Sequence, residues 1–144
     1  MSAPEPTDVA LSVGALPTAV VAACRGAAAK QGRDTMVLAV GEVLSIAEHF
    51  VITGAPNDRQ VKAIAEEVVR AVADAVGMKP LRSEGLDSLH WVLLDYGDLV
   101  VHVFLDDDRS FYELERLWAD VPRLRWDDVE QAEAIAEGRA SPQG

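Results

Sequence analysis

The chain has 144 residues, enough for one folded domain with short tails, and its single cysteine excludes an internal disulfide. Its formal net charge of −11 disfavours nucleic acid as a partner, because such binding is driven by lysine and arginine on phosphates. The acidic excess favours attraction to a basic protein but also serves solubility, and composition alone leaves both interpretations open.

The first segment, residues 1–16, contains Pro4, Pro6 and Gly14 with little helical periodicity, so we predict a mobile tail. It lacks the basic start and apolar run of a signal peptide, and no stretch of the chain is apolar for the length that spans a bilayer. Cys24, alone among alanines, is typical of a buried helix residue in a reducing compartment. We therefore expect a soluble, cytoplasmic protein that does not bind membranes.

One helix and two strands are predicted next along the chain. An alanine-rich helix is expected at 18–31 and ends at Gly32. Residues 34–40 and 49–54 are apolar runs that predict buried strands, and the connection at 41–48 has no clear type.

The clearest helix signal follows Asn57. Apolar residues recur there at steps of three and four, so they share one helical face. They are Val61, Ile64, Ala65, Val68, Val69, Val72, Ala73 and Val76. Asn57 followed by Gln60 resembles a capping box, and Gly77 with Pro80 ends the helix. We interpret this helix as packing on the core and assign it no chemistry.

A β-hairpin is predicted from two apolar runs at 89–96 and 99–105. The residues between them, Gly97-Asp98, are typical of a type I′ or II′ turn, which fixes the register and places Asp95 opposite Val100. Because side chains alternate along a strand, one hairpin face becomes almost entirely apolar and should form the core. That face holds His90, Val92, Leu94, Tyr96, Leu99, Val101, Val103 and Leu105.

The other hairpin face, called here the mixed face, holds Trp91, Leu93, Asp95, Val100, His102 and Phe104. Water does not usually cover this much apolar surface, and a helix does not usually cover a carboxylate and an imidazole. Apolar surface with a few polar groups is typical of a protein docking site. The alternative is that a helix covers the aromatic residues while Asp95 and His102 lie at its rim.

A last helix is predicted at about 111–120, where Ser110 and Glu113 form a second capping box. From residue 127 to residue 144 the chain is acidic and alanine-rich, which predicts a frayed tail. The folded domain is therefore expected at 17–126. Together these elements predict one α/β domain in which helices pack on a mixed sheet of about four or five strands.

Several separated strings of this chain follow a known order and spacing. The hairpin reads Trp-Val-Leu-Leu-Asp-Tyr-Gly-Asp-Leu-Val-Val-His-Val-Phe from Trp91 to Phe104, and a further string runs from Arg109 to Trp118. Upstream stand Phe50-Val-Ile-Thr-Gly54, Gln60, Ala63-Ile64-Ala65 and Glu84-Gly85. Over roughly residues 17–120 the chain thereby resembles the ribosomal silencing factor family, also called Iojap-like proteins. One departure is Glu48-His49, where the family often has Asp-Tyr.

The resemblance implies a function. Members of the family bind large-subunit ribosomal protein fourteen where the small subunit must join, and so lower translation when nutrients are short. It also implies a nucleotidyltransferase-like fold without the catalytic motif, and binding roles for Trp91, Asp95 and His102. The expected partner-binding residues are Trp91, Leu93, Asp95, Tyr96, Val100, His102 and Phe104. We expect a monomer or weak homodimer with no cofactor and little direct contact with nucleic acid.

The alternative function is a nucleotidyltransferase-like enzyme that acts on a nucleotide. Such enzymes need a Gly-Ser pair at the start of a helix and two carboxylates at alternate strand positions to hold metal ions. No Gly-Ser pair occurs here, and Asp95 and Asp98 are separated by a turn. The run at 106–108 is better explained as a solvated helix start. The three histidines lack metal-ligand spacing, so no catalytic or metal-binding residue is assigned.

Overall fold

The computed structural model describes residues 16–41, 47–107 and 119–127. In these ranges the elements are α1 (Thr18–Ala29), β1 (Arg33–Ala39), β2 (His49–Ala55), α2 (Asp58–Val76), β3 (Arg82–Glu84), β4 (Trp91–Asp95), β5 (Leu99–Leu105) and β6 (Arg123–Arg125). The strands form one sheet in the order β3-β4-β5-β2-β1-β6. The sheet is mixed, because β2 and β5 run parallel while the other neighbours are antiparallel. The predicted α/β class is confirmed.

Six strands form this sheet, against the four or five expected. The two that no pattern predicted are β3 and β6, each three residues long. Their sequences, Arg-Ser-Glu and Arg-Leu-Arg, have no apolar run from which a strand could be predicted. They are strands because they pair with β4 and β1 at the two edges of the sheet. Short, charged edge strands also discourage pairing with other chains.

The two helices keep close to their predicted bounds. The Asn57 side chain caps α2 by accepting a hydrogen bond from the Gln60 backbone N–H at 2.8 Å. The second half of the expected capping box does not form, because the Gln60 amide instead donates to the Lys30 carbonyl oxygen at 2.9 Å. Gln60 therefore joins the start of α2 to the end of α1.

The main core lies between these helices and one face of the sheet. Val68 of α2 and Val37 of β1 are among its fully buried members, and Cys24 is buried with them, as predicted. The helices cross closely at Gly26, where a β-carbon would lie 2.9 Å from the Val68 Cα. The glycine inside α1 is thus explained by packing space.

Three predicted segments lie largely outside the described residues. The helix at 111–120 is described only at its last two positions, which form a turn. The tails at 1–16 and 127–144 are described only at residues 16 and 127. In the parts of the chain that are described, no helix has the length and apolarity needed to cross a membrane.

Candidate protein-binding site

The hairpin has the predicted register. Asp95 pairs with Val100 and Trp91 with Phe104. The Tyr96 N–H donates to the Leu99 carbonyl oxygen at 2.8 Å, next to the turn. Gly97 has a φ of 93°, which the first residue of such a turn requires and which glycine adopts at little cost. The assignment of side chains to the two faces is therefore confirmed between residues 91 and 105.

The apolar face of the hairpin packs under the helices. Val92, Leu94, Val101 and Val103 are buried in the main core. The strand β4 begins two residues later than predicted, since Leu89 has a φ of 61° that an extended strand cannot accommodate. His90 is consequently exposed rather than part of the core.

The mixed face is partly a second core. It continues across β2 and β1 into a buried cluster formed by Leu38, Val40, Ala47, Ile52, Phe104 and Val121, against which Phe50, Trp91 and Val100 are half-buried. Phe104 is 0% exposed and His102 is 4% exposed. Two expectations are corrected here. Phe104 and His102 do not stand on an open surface, and His102 does not lie at the rim of a covered one.

Trp91 and His102 are joined directly across the two strands. The Trp91 indole N–H donates to the His102 Nδ1 at 3.1 Å. The indole also stacks on Phe104, with ring centroids 4.9 Å apart and an interplanar angle of 28°. On its other side His102 meets the Phe50 ring edge-on, at a centroid distance of 4.6 Å. These contacts lock the aromatic rings of β2, β4 and β5 together.

The protonation state of His102 follows from this bond. An indole N–H can only donate, so the Nδ1 must be unprotonated and the ring proton must sit on Nε2. That Nε2 is buried and meets no hydrogen-bond partner among the residues that the structure describes. Burial lowers the pKa of His102 from 6.5 to about 4, because a charged imidazole would lose its hydration. The ring is therefore neutral at physiological pH.

Asp95 has a structural task in the hairpin. One carboxylate oxygen accepts the Gly97 backbone N–H at 2.8 Å and so closes the turn. The other accepts the Arg82 Nε–H at 3.2 Å, which connects the hairpin to the edge strand β3. Arg82 also lies 3.8 Å from a carboxylate oxygen of Glu84. A partner would therefore meet Asp95 as one member of a charged cluster.

Tyr96 was expected among the partner-binding residues, but its side chain lies on the other side of the sheet. It belongs to the main core and is 4% exposed. Its burial raises the pKa of the phenol to about 12. Tyr96 is thus separated from the mixed face by the sheet itself.

An exposed strip remains on the mixed face. It consists of Trp91, Leu93, Asp95, Val100 and Phe50, all half-buried. Phe50 joins it because β2 pairs in parallel with β5, which places Phe50 beside Val100. Phe50 belongs to one of the strings that match the family. The sequence does not show that it lies beside Val100, because strand order is not visible in a sequence. Arg82 and Glu84 of β3 were likewise missed, and they extend the strip at the sheet edge.

Within the described ranges, no group of three His, Cys, Asp or Glu residues comes together as a possible metal site. Asp95 is turned towards Gly97 and Arg82, so it does not form the pair of strand carboxylates that the enzyme alternative requires. The arrangement supports protein binding through apolar area with a charged border.

Comparison with known proteins finds several matches. The model of the family described as ribosomal silencing factor during starvation matches residues 15–143. The ribosomal silencing factor RsfS of Bacillus subtilis is 43% identical over 93 residues, which cover 65% of this chain and 78% of that protein. A more distant relative, mitochondrial assembly of ribosomal large subunit protein 1 of Mus musculus, is 29% identical over 110 residues and is covered to 46%.

A solved structure shares the fold as well. The crystal structure of a Chromobacterium violaceum protein superposes with a TM-score of 0.66 at 32% sequence identity, over 72% of this chain and 87% of the other. The family match spans both helices, the whole described sheet and the hairpin with its exposed strip. The chain therefore belongs to the family of ribosomal silencing factors.

Proposed function

We propose that this protein represses translation by binding the large ribosomal subunit through ribosomal protein fourteen, chiefly when nutrients are limiting. The bound domain would occupy the surface at which the small subunit joins, in the cytoplasm, and so keep the subunits apart. The observation that carries the proposal is the exposed strip in a chain of the silencing factor family. At one end of the strip the Trp91 indole is fixed by its hydrogen bond to His102.

The strip has the composition of an interface centre. Trp91, Phe50, Leu93 and Val100 supply apolar area that is only half-covered in the free protein. Tryptophan is over-represented among the residues that dominate binding energies, because one side chain covers a large area with few rotatable bonds. Arg82, Asp95 and Glu84 would form the polar border that selects orientation.

Charge favours a ribosomal protein as the partner. The chain carries a net charge of −11, and ribosomal proteins are commonly basic, so the two would attract before contact. An interface of about 800 Å² per partner is sufficient for specific binding. The name of the Mus musculus relative refers to the large subunit, which supports that subunit as the target.

Repression of this kind needs no chemical step. A domain bound at the joining surface excludes the small subunit by its volume, so its effect depends on affinity and occupancy. Transfer of a nucleotide, the enzyme alternative, would need a metal-binding pair of carboxylates, and Asp95 is already engaged in the hairpin.

The test is sedimentation with purified bacterial subunits. The protein is incubated with large subunits, small subunits or both, and bound protein and joined ribosomes are measured on sucrose gradients. We expect binding to large subunits only, and fewer joined ribosomes when the protein is added before the small subunits. Binding to isolated ribosomal protein fourteen should saturate at one copy. Equal binding to small subunits, or undiminished joining at saturation, would contradict the proposal.

A further inference from the structure

We infer that His102 is a positioning residue for docking: its buried imidazole holds the Trp91 indole in the orientation that the partner binds, without touching the partner. The part of this inference that concerns docking rests on the proposed function above. The part that concerns Trp91 orientation is a property of the free protein and is tested separately.

Burial separates His102 from any partner. The side chain is 4% exposed and lies between Leu93 of β4 and Ile52 of β2, its direct neighbours in the sheet. A partner that binds the exposed strip covers Leu93 and Trp91 and can reach almost none of the imidazole surface. Any effect of His102 on binding must therefore pass through a neighbouring side chain.

Trp91 is the neighbour that transmits the effect. Stacking on Phe104 restricts the plane of the indole but allows it to face either way. The hydrogen bond from the indole N–H to His102 Nδ1, at 3.1 Å, selects one of these two orientations. A side chain that is ordered before binding loses less conformational entropy on binding, which strengthens the complex. His102 thus orders the Trp91 side chain before the partner binds.

The imidazole is itself held in place. It occupies the middle of β5, which has sheet neighbours on both sides, and the Phe50 ring packs against it at a centroid distance of 4.6 Å. The acceptor therefore cannot follow the indole if the indole rotates. This rigidity distinguishes a positioning role from a chance contact between two mobile side chains.

The experiment compares His102→Leu with His102→Asn. Leucine fills similar apolar space but accepts no hydrogen bond, whereas the asparagine oxygen can stand near the Nδ1 position and accept the indole proton. In the free protein, the ¹H–¹⁵N indole resonance of Trp91 is identified by its loss in Trp91→Phe. We expect it to shift and broaden in His102→Leu, and to stay near the wild-type position in His102→Asn.

Affinity for purified large subunits gives the second readout, at a temperature at which every variant is folded. His102→Leu should bind about tenfold more weakly, which corresponds to one net hydrogen bond and the ordering it provides, while His102→Asn should stay within about threefold of wild type. His90→Leu removes the exposed histidine of the same hairpin and should change neither readout.

Each failure has its own signature. Wild-type affinity in folded His102→Leu, or equal losses in the leucine and asparagine variants, would overturn the positioning role. Those two outcomes leave the proposed function standing, provided that wild type binds large subunits and Trp91→Ala does not. If wild-type protein fails to bind large subunits at all, the proposed function and the docking part of this inference both fall, while the indole resonance of the free protein still tests whether His102 orients Trp91.

Discussion

Among single residues, Trp91 links the exposed strip to the protein interior. Its indole is half-buried, stacked on Phe104 and bonded to His102. Trp91→Ala should weaken binding to large subunits by about thirty- to a thousandfold, the usual range for a tryptophan that dominates an interface. It should also lower the free energy of unfolding by about 1–3 kcal/mol, because the stacking contact and its buried area are lost. Equilibrium binding and urea denaturation measure the two effects.

Val92→Ala is the matched control for this substitution. Val92 is the next residue along β4, points to the opposite face and is 0% exposed. Its truncation should lower the free energy of unfolding by about 1–3 kcal/mol and leave the affinity of the folded protein unchanged. The reverse pattern, in which Val92→Ala impairs docking while Trp91→Ala does not, would mean that the binding face has been misassigned.

His102 should also make stability depend on pH. Its pKa falls from 6.5 in the unfolded chain to about 4 in the folded protein, so unfolding takes up a proton between these values. The stabilisation is complete above pH 6.5 and is lost as pH falls through about 4, up to about 3 kcal/mol. Urea denaturation from neutral to acid pH measures it. The curve of His102→Asn should be flatter, because asparagine does not titrate. It should still slope, because the carboxylates titrate in both proteins, and parallel curves would refute the prediction.

At the scale of elements, the link from β3 to β4 controls where the tryptophan stands. Gly85 in this link has a φ of 84°, and a β-carbon there would overlap the Trp91 carbonyl oxygen. Gly85→Ala should therefore lower the free energy of unfolding by about 2 kcal/mol or more and weaken docking, because it displaces the start of β4. Urea denaturation and subunit binding measure these changes.

Gly77 provides a control of the same backbone type. It follows α2 with a φ of 69°, but a β-carbon there would meet nothing within 4 Å. Gly77→Ala should cost about 1 kcal/mol, from the left-handed conformation alone, and leave docking unchanged. A Gly85→Ala protein as stable and as competent in binding as Gly77→Ala would show that the close approach to Trp91 is unimportant.

For the whole molecule, charge should govern the encounter with the ribosome. An acidic chain of net charge −11 and a basic partner attract less strongly as salt screens them. Raising the salt from about 0.05 M to about 0.5 M should weaken binding of wild type at least about tenfold, mainly through slower association. Stopped-flow or surface binding measurements separate the rates. An affinity independent of salt would indicate that the acidic charge serves solubility alone.

Exposed leucines beside the edge strand β3 bear on self-association. Leu81 and Leu86 flank the edge strand β3 and are 75% and 50% exposed, close in the chain to the strip that carries Trp91. Apolar area of this extent supports a monomer or a weak homodimer. Light scattering over a hundredfold range of concentration, roughly 1–100 µM, should show mass rising towards a dimer at most. A large, stable oligomer at every concentration would contradict this expectation.

The sequence by itself determined the features that depend on neighbouring residues. The turn at Gly97 and the alternation of side chains are local, so they settled which hairpin residues share a face. The spacing of apolar residues settled α2, and Asn57 and Gly77 settled its ends. Family membership was likewise readable, because it rests on strings of consecutive residues.

Only the tertiary structure decided how deeply each hairpin side chain is buried. β5 has β2 on one side and β4 on the other, so the rings of His102 and Phe104 are enclosed by residues distant in sequence. The same pairing brought Phe50 to the exposed strip and made strands of β3 and β6. Burial is set by contacts between distant segments, and alternation within one strand carries no information about which segments those are.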